Sequence, residues 1–250
     1  MRRRSVFAPL LGLAVIAAGC GTSASTTSAP ENIAKPPFVY VAIGGSESLE
    51  TGSRAAFQTA WSQLLYRTAI GTAGTFYDLA EPNETAAEAA ALDPSQVRAL
   101  HPDLVTVWLS TADLLDGTPV AAYRRSLGTL LRALRATETT VLVASAPPIE
   151  RLPLYQACID DPRACGSGNR TLPSPASLPP VITAYNTAIA GIASRSSATV
   201  INVGAPLVKS LGAVAGAGAL STNFATLSAG AARAVASAFE VEVRRLVARR

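Results

Sequence analysis

The stretch FVYVAIGGSES, Phe38 to Ser48, decides the fold. Its first six residues, Phe38-Val39-Tyr40-Val41-Ala42-Ile43, are apolar, β-branched or aromatic without a break, and Gly44-Gly45 end the run. A short apolar segment closed by glycines predicts a strand buried on both faces, as in a parallel sheet. The glycines permit a sharp turn, which lifts Ser46 to the carboxyl edge of the sheet, where open α/β sheets place their ligands. Ser46 is therefore a candidate nucleophile. The same position also suits a plain turn or helix-capping residue.

Outward from this stretch the chain alternates. Ala55 to Thr68 places Phe57, Trp61, Leu64 and Leu65 on one helical face. Gly71 to Leu79 reads as a second strand, and Glu84 to Leu100 as an alanine-rich helix. Asp103 to Leu109 (DLVTVWL) is a third buried strand, running into Ser110-Thr111-Ala112-Asp113. Pro119 to Arg135 is helical, with proline suited to a first turn, and Thr139 to Ser145 is a fourth strand. Ile149 to Pro180 is proline-rich and irregular, a length typical of lids and specificity loops. A helix over Val181 to Arg195, a fifth strand over Ala198 to Val203 and a glycine/alanine segment over Gly212 to Gly218 follow. Ser228 to Val247 is a closing helix with Val235, Phe239, Val243 and Leu246 on one face. This alternation predicts one three-layer α/β domain, residues 38–250, with a five-stranded parallel sheet in flavodoxin-like order.

The 250 residues hold one such domain once a leader is set aside. Arg2, Arg3 and Arg4 precede an apolar run from Val6 to Ala18, which ends at Ala17-Ala18-Gly19-Cys20. Residues 1–20 thus read as a secretory signal, with an apolar part too short for a membrane span. Small residues ending at a cysteine resemble a bacterial lipobox, in which Cys20 is lipidated; a plain signal peptide is the alternative. Residues 21–37 are rich in Ser, Thr and Pro and read as a flexible tether. The expected address is the outer face of the cell membrane. The formal charge of +4 includes the three leader arginines, and +1 remains without them. That balance implies no nucleic-acid partner. Cys158 and Cys165, in CIDDPRAC, favour a local disulfide in an oxidising compartment. Two sulfurs with no nearby histidine do not complete a zinc site, and neither a metal nor a cofactor is expected.

Taken together, residues 38 to 245 resemble an SGNH (GDSL-type) hydrolase. That family's first block, a strand followed by Gly-Asp-Ser, resembles Gly44-Gly45-Ser46, with Ser46 at the nucleophile's place. Its third block, Gly-x-Asn-Asp after a strand, resembles DLVTVWLSTADLL, with Asp113 at the final aspartate. The segment LPPVITAYNTAIAGIASRSSATVINV resembles the helix and strand before the last block. The last block itself, Asp-x-x-His, resembles Asn223-Phe224-Ala225-Thr226. The resemblance implies a serine ester hydrolase, yet most of its chemistry does not carry over. Aspartate beside the nucleophile is Gly45, and the oxyanion glycine falls near Asn83. The oxyanion asparagine is Ala112, and the catalytic aspartate and histidine fall at Asn223 and Thr226.

A serine hydroxyl is a poor nucleophile near neutrality unless a base takes its proton. The single histidine, His101, precedes the third strand and belongs at the opposite edge of the sheet from Ser46. Loss of either the serine or the histidine of such a triad costs roughly 10⁶ in turnover in subtilisin. Glu47 and Asp113 are the carboxylates close enough in the topology to act as a weak base, if their pKa values rise; Glu47 also suits a solvated or capping role, and Asp113 a cap on the helix that follows it or a tie for its own loop. The leading expectation is a monomeric envelope lipoprotein of this fold that has lost efficient catalysis and uses the cleft at the sheet edge (Gly44, Gly45, Glu47, Asn83, Ala112, Asp113, Asn223, Thr226) to bind an acyl, glycan or protein partner. The alternatives are an active esterase using Ser46 with a non-standard base, and a structural protein with a filled cleft.

Overall fold

The computed structural model describes residues 37–49, 56–136, 139–151, 155, 159–160, 172–212 and 227–249. All of them lie within one compact unit, Pro36–Arg250. The sheet has five parallel strands: β1 Phe38–Gly44, β2 Gly74–Asp78, β3 Leu104–Trp108, β4 Thr140–Ala144 and β5 Thr199–Ile201. Their order is β2-β1-β3-β4-β5, the flavodoxin-like order expected of the sequence. The register sets Gly44 beside Trp108, so β1 and β3 end together.

The period-2 alternation of the strands divides the core. Val41, Ile43, Val105, Val107, Val141 and Val143 face one layer, made by α3 Ala86–Leu100, α5 Val120–Arg135 and α6 Leu178–Arg195. Tyr40, Ala42, Leu104, Trp108, Leu142 and Ala144 face the other, with α2 Trp61–Leu65, α7 Gly204–Gly212 and α8 Ala229–Arg249. There Trp61 stacks on Phe239 at 4.8 Å between centroids and meets Trp108 edge-on at 5.9 Å. The short helices α1 Ala56–Thr59 and α4 Thr111–Leu115 complete the set.

Three expectations are corrected. The helix read over Ala55 to Thr68 is broken at Ala60, whose ψ of 140° is extended, and it widens to a π-turn over Tyr66–Ile70. The stretch read as irregular up to Pro180 ends earlier, because α6 begins at Leu178 and holds both prolines in its first turn, where a missing N–H costs nothing. Gly204–Gly212 is a helix that the sequence reading passed over. The glycine/alanine segment beyond Gly212 lies outside the described residues, as do Cys20, Cys158, Cys165, Asn223 and Thr226.

Candidate active site

Ser46 opens a single 3₁₀ turn, Ser46–Ser48, directly beyond the end of β1. The turn is fastened on both sides: Gly45 N–H donates to the Trp108 carbonyl at 3.3 Å, and Glu81 N–H to the Gly44 carbonyl at 3.0 Å. Neither Gly44 nor Gly45 is in the left-handed region, so their value is space rather than backbone freedom. A Cβ on Gly44 would lie 2.2 Å from Ser48 Oγ. One on Gly45 would lie 2.9 Å from Glu47 Oε2 and 3.3 Å from the Glu84 carbonyl.

Ser46 is half-buried, and among the described residues its Oγ has partners on Asn83 alone. It accepts from Asn83 N–H at 2.8 Å and donates to Asn83 Oδ1 at 3.4 Å. Asn83 has φ 59°, a left-handed conformation open to asparagine and glycine. The position aligned with the family's oxyanion glycine thus has a left-handed backbone and aims its N–H at the serine.

Glu47 does not touch the Ser46 hydroxyl. Its side chain turns inward and is 6% exposed, which corrects the expectation of a solvated residue. Burial pushes its pKa up to about 7, against hydrogen bonds from its own backbone and from Thr111. Its Oε1 has no partner. Two more carboxylic acids are buried in the same region. Burial raises Glu84 to about 8 and Asp93 to about 7, with nearby carboxylates adding to both.

Asp113 Oδ2 accepts from Ala86 N–H at 2.8 Å, at the first residue of α3. Burial raises its pKa, while the bonds from Ala86 and Thr118 oppose the rise. It therefore caps α3, not the helix that follows it, beside the Thr85–Glu88 capping box. Ala112 is buried with no amide to offer. Tyr123 donates to the Leu109 carbonyl at 2.7 Å and Tyr185 to the Thr118 carbonyl at 2.6 Å, so two stacked tyrosines hold the loop from behind. His101 is exposed at the end of α3 with φ 46°, just before β3. It stands at the amino edge of the sheet, away from Ser46.

The sequence reading missed Glu84, Asp93 and Asn186. Asn186 bonds both backbone groups of Ala146, at 2.8 and 3.2 Å, and so ties α6 to the end of β4. An amide on an otherwise apolar face between Ile182 and Ile189 was the available signal for it. Beside it, at the carboxyl ends of β4 and β5, lies a cavity of about 770 Å³. Ile182, Val200 and Val208 supply apolar wall, and Arg151 and Lys209 supply positive charge.

A five-stranded parallel sheet in flavodoxin-like order, with Ser46 in the turn beyond the carboxyl end of β1, is the fold of SGNH-type hydrolases. A model of the GDSL-like Lipase/Acylhydrolase family matches residues 16–220, and the chain belongs to that family. Among solved structures, that of TesA superposes with a TM-score of 0.59 and 16% identity, over 83% of this chain and 99% of its own. The lipase/acylhydrolase of Enterococcus faecalis gives 0.58 and 14%, over 83% and 96%. The psychrotrophic esterase EstA of Pseudoalteromonas, in a structure inhibited by monoethylphosphonate, gives 0.53 and 14%, over 84% and 94%. At these identities the likeness is one of fold. No curated protein sequence matches the chain.

Proposed function

We propose that this chain is an exported, lipid-anchored member of the family that has lost efficient ester hydrolysis and uses the carboxyl edge of its sheet to bind an acyl ligand. One observation carries the reading. The Ser46 hydroxyl has the amide of Asn83 for company, while the chain's single histidine stands at the other edge of the sheet. An amide oxygen does not take a proton near neutrality, so the serine stays a neutral hydroxyl. Glu47 turns inward towards Thr111 without reaching the Ser46 hydroxyl, and Asp113 accepts at the start of α3. The mixed apolar and cationic wall of the cavity beside β4 and β5 supports an acyl chain with an anionic head as the ligand class. Cys20 at the end of a leader supports the anchor.

The test is hydrolysis of short-chain p-nitrophenyl esters by the full chain in detergent, wild type beside Ser46→Ala. Equal rates near background are expected. A rate that falls only in the variant would establish Ser46 as a working nucleophile and overturn the reading.

A further inference from the structure

A second recess lies far from Ser46 chemistry, on the outer surface where α5 packs against α6. It is about 810 Å³ in volume, and five arginines line it: Arg124, Arg125, Arg132 and Arg135 on α5, and Arg195 at the end of α6. All five are exposed. Neither helix contains an Asp or Glu, and no carboxylate lines the recess among the described residues. In a chain whose net charge without its leader arginines is +1, this is a segregation of positive charge onto one face, with no carboxylate among the described lining residues.

The arginines follow a stripe. From Ala121 to Arg135 the groove runs about 21 Å along α5, at the rise of an α-helix. Its floor is shallow and apolar, with Gly128 buried next to Ile192. A Cβ on Gly128 would lie 3.5 Å from Arg132 Nη1, and one on Gly191 the same distance from Arg195 Nη1. Each helix therefore lays a guanidinium back over a glycine four residues earlier, in reach of the groove.

We infer that this groove binds a linear polyphosphate-type anion, a flexible chain of closely spaced phosphates without nucleobases. Guanidinium forks match phosphate oxygens two at a time. Among the described residues no aromatic side chain lines the groove to stack a base. An acidic peptide would bring backbone N–H and C=O groups needing partners, and among the described lining residues Ser196 is the only uncharged polar side chain. A recessed, elongated floor suits a chain better than a flat lipid surface.

The experiment is fluorescence anisotropy of end-labelled linear polyphosphate of defined length, titrated with the full chain in detergent at several salt concentrations. With five phosphate contacts, the counterion-release rule for single-stranded polyanions gives a log–log salt slope of about −3.5, or about 100-fold weaker binding from roughly 50 to 200 mM salt. Arg124→Gln/Arg132→Gln/Arg195→Gln should reduce that slope to about −1.4, with circular dichroism confirming the fold. If the triple variant does not fold, Arg132→Gln and Arg195→Gln singly should each reduce it by about 0.7. Arg233→Gln, exposed on α8 outside the groove, should change nothing. Absence of binding at low salt, or a slope untouched by the groove variants, overturns the inference. So does equal binding of an oligothymidylate, or binding to anionic vesicles that polyphosphate fails to compete.

Discussion

Replacing Glu47 by glutamine tests the reasoning about the buried acid beside the serine turn. Burial moves this carboxyl from 4.5 to about 7. The unfolded chain releases the proton near 4.5, whereas the folded chain holds it up to about 7. Between those values the folded state binds more protons, so stability falls as pH rises. The contribution is fully present below about pH 4.5 and fully lost above about pH 7. At 1.36 kcal/mol per pH unit, the loss assigned to Glu47 is about 3 kcal/mol. Glutamine has nearly the same shape as the protonated acid and cannot ionise. Urea unfolding of wild type and Glu47→Gln at pH 4.5 and 8.5 reads the difference directly. The wild type should lose about 3 kcal/mol more than the variant between the two pH values, a gap of about 1.5 M in midpoint at a slope of about 2 kcal/mol per molar. Glu84 and Asp93, raised in the same direction, add to the fall in both proteins. Parallel falls in wild type and variant would refute the assignment of the burial cost to Glu47.

Two glycines make opposite predictions. Gly44→Ala would force a Cβ to 2.2 Å from Ser48 Oγ, on a fully buried side chain that also accepts from Trp61 Nε1. A loss of about 1–3 kcal/mol by urea unfolding is expected from such overpacking. Gly128→Ala would place its methyl in ordinary contact, 3.5 Å from Arg132 Nη1 and 3.9 Å from Ile192 Cγ2. Within α5 that change should stabilise by about 0.5–1 kcal/mol, seen as a higher thermal midpoint; a lower one would show that the groove floor has no room.

The sheet was legible because parallel strands buried on both faces leave unbroken apolar runs, and β1, β3 and β4 have them. The helix ends were less so. Nothing local in Phe57-Gln58-Thr59-Ala60-Trp61 announces a break; it forms where Trp61 turns inward between Phe239 and Trp108, contacts some 180 and 50 residues away in the chain. Leu178-Pro179-Pro180 looked like loop because proline stops helices everywhere except where they begin. At the site, Ser46 was legible from the apolar strand and the glycines that close it, Asn83 only by likeness to a family pattern, and their bond joins them across 37 positions. Glu47 was misread because local sequence prices a charge next to glycines as exposed. Its partner is Thr111, which the pairing of β1 with β3 brings near from far along the chain.

The crowding at Gly45 couples any change there to Glu47 and Glu84. The family places an aspartate there, but in this chain Glu47 Oε2 and the Glu84 carbonyl already occupy the approach to any Cβ. A return to aspartate at position 45 would add another carboxylate among Glu47 and Glu84, both already raised by burial. Glu47 Oε2, the free end of a flexible side chain, would have to swing aside, and the Glu84 carbonyl to give by a few tenths of an ångström. Recovering the family's chemistry is therefore a matter of neighbours as well as of residue identity: a change at position 45 is felt first at Glu47, two residues on, and at the backbone of Glu84.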